Sequence, residues 1–160
     1  MNLSSALGKH FKDVNTGGNW TAVNLTEVLS GITWQQATQK VGSLNTIYTL
    51  VFHINYYVEL QLRVLHGKPI TGSDKKSFEH PQLTSQKQWE DFLTTVFGNI
   101  SAMTKKIETL KEKQWGENFA NSEKYGSYYR NIQGLIEHHH YHLGQIVLLK
   151  KLINNKFKED

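Results

Sequence analysis

The amino-acid sequence predicts an all-α fold, a four-helix bundle with long connections between its helices. Four stretches carry apolar residues three and four positions apart, which is the period of a helix that buries one face. Polar segments that contain glycine or proline separate these stretches. No segment shows the alternation of apolar and polar residues that is typical of a half-buried strand.

The first predicted helix is short and lies near the beginning of the printed sequence. It presents four apolar residues at helical spacing: Leu3, Leu7, Phe11 and Val14. The segment NTGGN ends this helix. Two short helical turns are predicted in the connection that follows, one capped by Asn24 and one by Thr33, because such side chains accept hydrogen bonds from the first backbone N–H groups of a helix.

Three longer helices are predicted in the rest of the chain. The second helix opens at Gly42–Ser43 and runs to His66–Gly67, where the glycine is a stop signal. The third begins at Ser85, which is spaced to form a capping box with Gln88. Its apolar stripe steps regularly by four and three: Trp89, Leu93, Val96, Ile100, Met103, Ile107 and Leu110. The fourth begins near Gly126–Ser127, and the long connections permit crossovers as well as an up-and-down arrangement.

The composition excludes several kinds of chemistry and of partner. We expect the 160 residues to form a single domain over residues 1–160, and the absence of cysteine excludes disulfides, thiolate metal sites and a cysteine nucleophile. The net charge is +4, but the lysines are interleaved with acidic or apolar residues at helical spacing, which is typical of a solvated helix face rather than a nucleic-acid surface. The segment MNLSSALGKHFKDVN does not resemble a secretory signal, and the apolar runs are too short to cross a bilayer. A cytoplasmic protein without a nucleic-acid or membrane partner is therefore expected.

A cluster of histidines in the fourth predicted helix is the main candidate for chemistry. The stretch IEHHHYHLGQIVLLKKL holds four of the eight histidines within five positions. His138 and His142 are four residues apart, so their rings can turn toward one point beside the helix. A neighbouring helix about 8–10 Å away can supply a further ligand, and His53 is the candidate because it lies among apolar residues in the second helix. Spacing alone leaves His139 open as a substitute for His138, since it is also close to His142 on the helix.

The other histidines and one acidic motif are given different interpretations. His10, His66 and His80 lie near helix ends or in connections and are predicted to be on the surface. His140 is predicted to face solvent. Together with Glu137 it forms one Glu-x-x-His motif, but a di-iron carboxylate site requires a second copy, which the chain lacks. A purely structural cluster, in which the histidines satisfy one another by hydrogen bonds, remains an alternative to a metal site.

Two motifs resemble a known family. The segments TLVFHINYYVE and HHHYHLGQIVLLKK are similar to those of the DinB-like superfamily of metal-dependent helical-bundle proteins, and NWTAVNLTEVLSGITWQQA resembles the connection between its first two helices. The family's late signature, H-x-x-x-H-x-G-Q-[IL], falls on five residues: His138, His142, Gly144, Gln145 and Ile146. The resemblance implies a crossover bundle and a divalent ion held by His53, His138 and His142, and it selects His138 over His139.

The resemblance also implies a range of functions. Relatives include thiol S-transferases that use bacillithiol or similar small thiols, and a mycothiol-dependent maleylpyruvate isomerase, and many members are homodimers. We therefore expect a homodimer in which zinc or nickel, ahead of iron or manganese, activates a low-molecular-weight thiol for attack on an electrophilic substrate. Because the chain has no cysteine, the sulfur has to arrive with a cosubstrate. A metal-dependent hydrolase and a non-catalytic, stress-related metal-binding module remain the alternatives.

Four residues near the predicted ligands are candidates for orienting them or for moving protons: Tyr57, Glu137, Tyr141 and Gln145. A packing role explains each of them at least as well, so no catalytic residue is assigned from the sequence.

Overall fold

The computed structural model describes residues 2–156, and within this range the protein is all-helical and has no strand. Six α-helices follow one another along the chain: α1 (Leu3–Thr16), α2 (Leu25–Leu29), α3 (Trp34–Thr38), α4 (Ile47–Leu65), α5 (Gln86–Glu108) and α6 (Tyr128–Lys156). Short 3₁₀ turns lie in the later connections: Lys75–Phe78, Glu112–Gly116, Phe119–Asn121 and Glu123–Tyr125. Over the described residues, each helix is too short or too polar to span a bilayer.

Side-chain caps explain where the helices of the first half begin. Asn24 and Thr33 cap α2 and α3, as the sequence predicts. At α3 the side chain of Gln36 completes a capping box with Thr33, which the sequence analysis does not predict. The predicted start of the next helix at Gly42–Ser43 is wrong. The helix α4 begins at Ile47, because the hydroxyl of Thr46 accepts the hydrogen bond of a backbone N–H in its first turn.

The start of α5 shows a predicted cap that forms only in part. The hydroxyl of Ser85 accepts a hydrogen bond from the backbone N–H of Gln88, which is one half of a capping box. The amide oxygen of Gln88 accepts instead from the backbone N–H and the hydroxyl of Thr84. The side chain of Ser85 therefore caps the first turn of α5, while the side chain of Gln88 holds Thr84 in place.

The four long helices pack in a cyclic order that differs from their order in the chain. The principal contacts join α1 to α5, α5 to α4, α4 to α6 and α6 to α1. Successive long helices, α1 with α4 and α5 with α6, therefore lie across a diagonal, and their connections cross the end of the assembly. Apolar side chains of all four long helices fill one continuous core, in which Phe11, Val51, Met103 and Ile146 have no exposed surface. This packing places the middle of α4 against the middle of α6.

Two buried tryptophans fasten the long connections to the helices. The indole N–H of Trp89 on α5 donates to the carbonyl of Ile32, between α2 and α3, at 2.9 Å. The indole N–H of Trp115 donates to the hydroxyl of Ser4 on α1 at 3.1 Å. Each ring buries a large apolar surface and satisfies its polar atom, so the connections are held to the core.

Candidate metal centre

Helices α4 and α6 bring three histidines of the sequence prediction together. The Nε2 atom of His138 lies 2.9 Å from Nε2 of His53 and 3.0 Å from Nε2 of His142. One ring nitrogen from each of the three lies within 4.8 Å of the other two. His53 and His142 are buried, and His138 is partly exposed. The three histidines are therefore positioned to bind a metal ion.

The contacts of His53 determine which of its nitrogens carries the proton. Its Nδ1 atom lies 2.7 Å from the hydroxyl oxygen of Ser77. That hydroxyl donates its own hydrogen to the backbone carbonyl of Asp74 at 2.5 Å, so it accepts from the Nδ1–H group of His53. The Nε2 atom of His53 consequently keeps its lone pair, which faces the other two rings.

Gln145 determines the tautomer of His142 in the same way. The Nδ1 atom of His142 lies 2.8 Å from the amide oxygen of Gln145, and an amide oxygen can only accept a hydrogen bond. The proton therefore lies on Nδ1, and Nε2 has a lone pair that faces His138. Gln145 is one of the residues that the sequence predicts as a candidate for orienting a ligand, and this contact agrees with that role.

A count of protons shows that hydrogen bonds among the three rings cannot satisfy them all. The lone pairs of His53 and His142 both face Nε2 of His138. A neutral His138 has one ring proton, and an N–H group on Nε2 can point at only one of the two lone pairs with good geometry. A buried lone pair without a donor is costly, whereas one cation can accept all three lone pairs. The count favours a metal site over the structural cluster.

Burial keeps the three rings in the neutral form that binds metal. Desolvation, followed by the neighbouring charge of His142, lowers the pKa of His53 from 6.5 to about 4. The pKa of His138 falls to about 4 for the same reasons, burial first and then the other two histidines. Burial also lowers the pKa of His142, and its hydrogen bond with Gln145 works in the opposite direction. At neutral pH the three imidazoles are therefore free of protons that would compete with a cation.

His139 points away from the cluster and is excluded as the substitute ligand. Its Nδ1 atom lies 2.9 Å from the side-chain oxygen of Asn15 on α1, and its ring packs edge-on against Phe11 at 5.0 Å. The amide of Asn15 donates to the carbonyl of Phe11, so its oxygen is the acceptor and His139 carries a proton on Nδ1. The contact ties α6 to α1, and the run of three histidines thus divides between two sides of the helix.

The buried ring of His139 predicts how stability changes with pH. Burial, followed by the charges of neighbouring histidines, lowers its pKa from 6.5 to about 3 in the folded protein. The contribution of His139 to the free energy of unfolding is fully present above pH 6.5. It is lost as the pH falls toward 3, because the unfolded chain takes up a proton on this ring and the folded protein does not. Replacing His139 with Asn keeps a donor for Asn15 but removes the titration. In urea unfolding of metal-free protein between pH 4 and 6, His139→Asn is expected to flatten the pH slope of the unfolding free energy by about 1.4 kcal/mol per pH unit. An unchanged slope would contradict the burial of a neutral His139.

Two other histidines that the sequence predicts to be exposed, His80 and His140, are half-buried in the structure. His80 is half-buried, with its Nε2 atom 2.9 Å from the hydroxyl of Thr49 and its ring 4.5 Å from that of Tyr48. His140 is also half-buried, and its ring lies 5.8 Å from that of His10. The connection that carries His80 folds back over α4, and α1 covers the side of α6 that carries His140, which sequence spacing does not reveal.

A cavity of about 550 Å³ opens beside the cluster and is lined by His53, His138 and the candidate residue Tyr57. The Tyr57 hydroxyl donates to the carboxylate of Asp74 at 3.0 Å in the wall of this cavity. The other two candidates lie outside the lining of this cavity: Glu137 is exposed and accepts a hydrogen bond from Gln133. Tyr141 is 64% exposed, and its ring packs edge-on against that of His142 at 4.9 Å.

The sequence prediction missed the residues that the connection after α4 supplies to the site. The turn Lys75–Phe78 carries Ser77, which orients His53, and Phe78, whose ring stacks on His53 at 4.2 Å. Asp74 precedes the turn and lines the cavity. No period or motif distinguishes these residues, because a polar connection can fold in many ways and only its packing on α4 brings them to the histidine.

Comparisons of the chain with protein-family models, with curated proteins and with solved structures find no match. The resemblance to the DinB-like superfamily therefore rests on the sequence motifs, and membership stays a prediction.

Proposed function

We propose that this protein is a metal-dependent thiol transferase, in which a divalent ion held by His53, His138 and His142 activates a low-molecular-weight thiol for attack on a small electrophile. The observation that carries the proposal is the convergence of three neutral imidazoles, two of them with lone pairs directed inward by Ser77 and Gln145, at the wall of a cavity.

Two of the three separations between the nitrogens agree with binding to a single ion, and the third is at most 4.8 Å. Zinc binds imidazole nitrogen at about 2.0–2.1 Å, so two nitrogens on one ion are about 2.9 Å apart when the bonds are perpendicular and about 3.4 Å apart in a tetrahedron. The separations from His138 to its two neighbours, 2.9 and 3.0 Å, agree with this range. Imidazole ligands suit zinc and nickel, and also iron, while manganese is better served by oxygen ligands.

The donor set is that of a catalytic site rather than a closed structural one. Three neutral ligands would not compensate the double charge of an ion held by His53, His138 and His142, so the ion would lower the pKa of a thiol or a water bound to it. The protein's own groups hold and shield the rings: Ser77 and Gln145 orient two of them, and Phe78 covers His53.

Asp74 is the proposed acceptor of the proton that the thiol loses. It is the carboxylate in the lining of the cavity, and its hydrogen bond from Tyr57 holds it there. In the proposed reaction the thiol transfers its proton to Asp74, the sulfur forms a bond to the electrophilic carbon, and the leaving group departs with the electron pair of the broken bond. Tyr57 is then a positioning residue for Asp74.

The proposal includes the bundle topology that the resemblance to the DinB-like superfamily implies. The cyclic packing of α1, α5, α4 and α6, with two diagonal connections, supports a DinB-like four-helix bundle. The homodimer and the cytoplasmic location stay predictions.

Turnover by the metal-loaded protein tests the proposed reaction. The assay uses zinc- or nickel-loaded protein with a chromogenic aryl halide, in the presence and absence of several small thiols. Turnover that requires both metal and thiol, and that falls by about 10²-fold or more in Asp74→Asn, is the expected result. Thiol-independent turnover of an ester substrate would favour the hydrolase instead, and a metal-loaded protein without any turnover would favour the non-catalytic module.

A further inference from the structure

The cavity beside the histidines continues into a second cavity. The first has a volume of about 550 Å³ and the second about 300 Å³. Their walls share six residues: Tyr57, Gln61, Asp74, Lys124, Tyr125 and Asn131. They therefore form one cleft, which runs from the histidines to the segment before α6, and each part is of the size that holds a small molecule or a large part of one.

Two cations in the wall of this cleft have no carboxylate partner. Lys124 and Arg130 both line the first cavity. The ion pairs found within residues 2–156 join Lys9 to Asp13, Lys75 to Glu79 and Lys87 to Asp91. Neither cation of the cleft takes part in them, and Asp74, the carboxylate in the same wall, accepts its hydrogen bond from Tyr57.

We propose that the cleft selects an acidic thiol as its substrate, with the carboxylate or phosphate of that molecule held by Lys124 and Arg130 while its sulfur faces the three histidines. This inference rests on the proposed function. The cleft holds formal charges of +2 from the two cations and −1 from Asp74, and a divalent ion on neutral histidines adds two more positive charges. An anion is therefore attracted along the whole length of the cleft.

Local structure holds both cations at the wall. The guanidinium arm of Arg130 lies across Gly126, where a Cβ atom would stand 3.0 Å from the Cδ atom of Arg130 and where φ is +71°. Glycine is thus required at this position both for the backbone and for the arginine. The ammonium of Lys124 lies 5.5 Å from the centre of the Tyr125 ring, within the range of a cation–π contact.

Hydrogen bonds hold the segment that carries these cations. The amide of Asn131 donates to the carbonyls of Tyr125 and Ser127, each at 2.8 Å. The backbone N–H of Phe119 donates to the carbonyl of Gly126 at 2.7 Å. The two positive side chains are therefore carried by an ordered segment, which lowers the entropy cost of binding an anion.

Gln61 joins the two cavities. It lines both of them, and its Nε2 group donates to the carbonyl of Asn131 at 3.1 Å. This hydrogen bond ties α4 to the start of α6, beside the two cations.

Matched probes measure the selectivity for the acidic group. The protein is loaded with Co²⁺ and titrated with N-acetylcysteine and with the neutral N-acetylcysteinamide, and then with 2-mercaptoethyl phosphate and the neutral 2-mercaptoethanol. The absorption of cobalt reports the binding of each thiol. We expect the acidic member of at least one pair to bind about tenfold more tightly than its neutral counterpart at low ionic strength, and the pair with the larger ratio identifies a carboxylate or a phosphate ligand.

Variants of Lys124 and Arg130 test whether these two cations cause the preference for acidic thiols. In the double variant Lys124→Gln, Arg130→Gln, the ratio of the affinity for the acidic thiol to that for the neutral thiol is expected to fall to about 1. The affinity for the neutral thiol is expected to stay unchanged, since both side chains are exposed and lie outside the core. Lys151→Gln removes an exposed charge from α6 outside the cleft and is expected to leave the ratio as it is in the wild type.

Failure of the inference about acidic thiols and failure of the metal site give different experimental results. Equal affinities of acidic and neutral thiols for the cobalt-loaded wild type would overturn the inference and leave the metal site standing. A protein that does not bind Co²⁺ would contradict the proposed function instead. In that case the same probes are titrated into the metal-free protein and followed by the amide chemical shifts of residues 124–131, where equal responses to the acidic and neutral probes would overturn the inference as well.

Discussion

Replacing His53 with alanine is expected to lower the affinity for zinc or nickel by more than about 100-fold, which exceeds the usual cost of losing a group that only orients a ligand. His53 is the ligand that α4 contributes to the cluster, and without it the two remaining histidines lie on one helix. His142→Ala is expected to have a similar effect. Metal analysis after dialysis and calorimetric titration measure the loss.

Two further variants make this prediction specific. Ser77→Ala removes the acceptor that holds the proton of His53 on Nδ1, and a loss of about 10–100-fold is expected because the ring remains but its tautomer and orientation do not. His139→Asn changes a buried histidine of the same run that faces Asn15, and metal content should stay that of the wild type. Undiminished metal in both His53→Ala and His142→Ala would refute the site.

Removing the metal is expected to lower the thermal midpoint of the wild-type protein by about 8–16 °C. His53 lies 85 residues from His138 in the chain, so the unfolded protein does not present the three ligands together. Metal at about 1,000 times its dissociation constant stabilises the folded state by about 4 kcal/mol, and each kcal/mol shifts the midpoint of a domain of this size by about 2–4 °C. Calorimetry in the presence and absence of a chelator measures the shift.

The variant without the metal ligand is the control for this shift. Chelator should leave the midpoint of His53→Ala unchanged, because little metal is bound at the start. If the midpoint of the wild type were also indifferent to chelator after loading, the three histidines would be a hydrogen-bonded structural cluster, and the proposed enzyme would have no basis.

The all-α fold could be predicted from the sequence because helix formation is largely a local matter. Apolar spacing and short polar caps depend on residues within a few positions of one another, as at Asn24 and Thr33. The prediction of the start of α4 failed where two cap signals compete, and the hydroxyl of Thr46 prevails over the glycine and serine upstream.

The candidate site could be predicted only in part, because its residues obey different constraints. The spacing of His138 and His142 is a property of one helix, so the sequence determined that their rings could share a point. The exclusion of His139 required the position of Asn15 on another helix, which no periodicity contains.

The sequence by itself determined which segments are helical, which faces are apolar and which histidines can reach one another. Only the tertiary structure decided that Ser77 places the proton of His53, that Asp74 lies in a cavity wall, and that Lys124 and Arg130 line the same cleft. The physical reason is that these contacts join segments that are far apart in the chain. Such contacts depend on how the connections pack, and many sequences of similar composition could pack them differently.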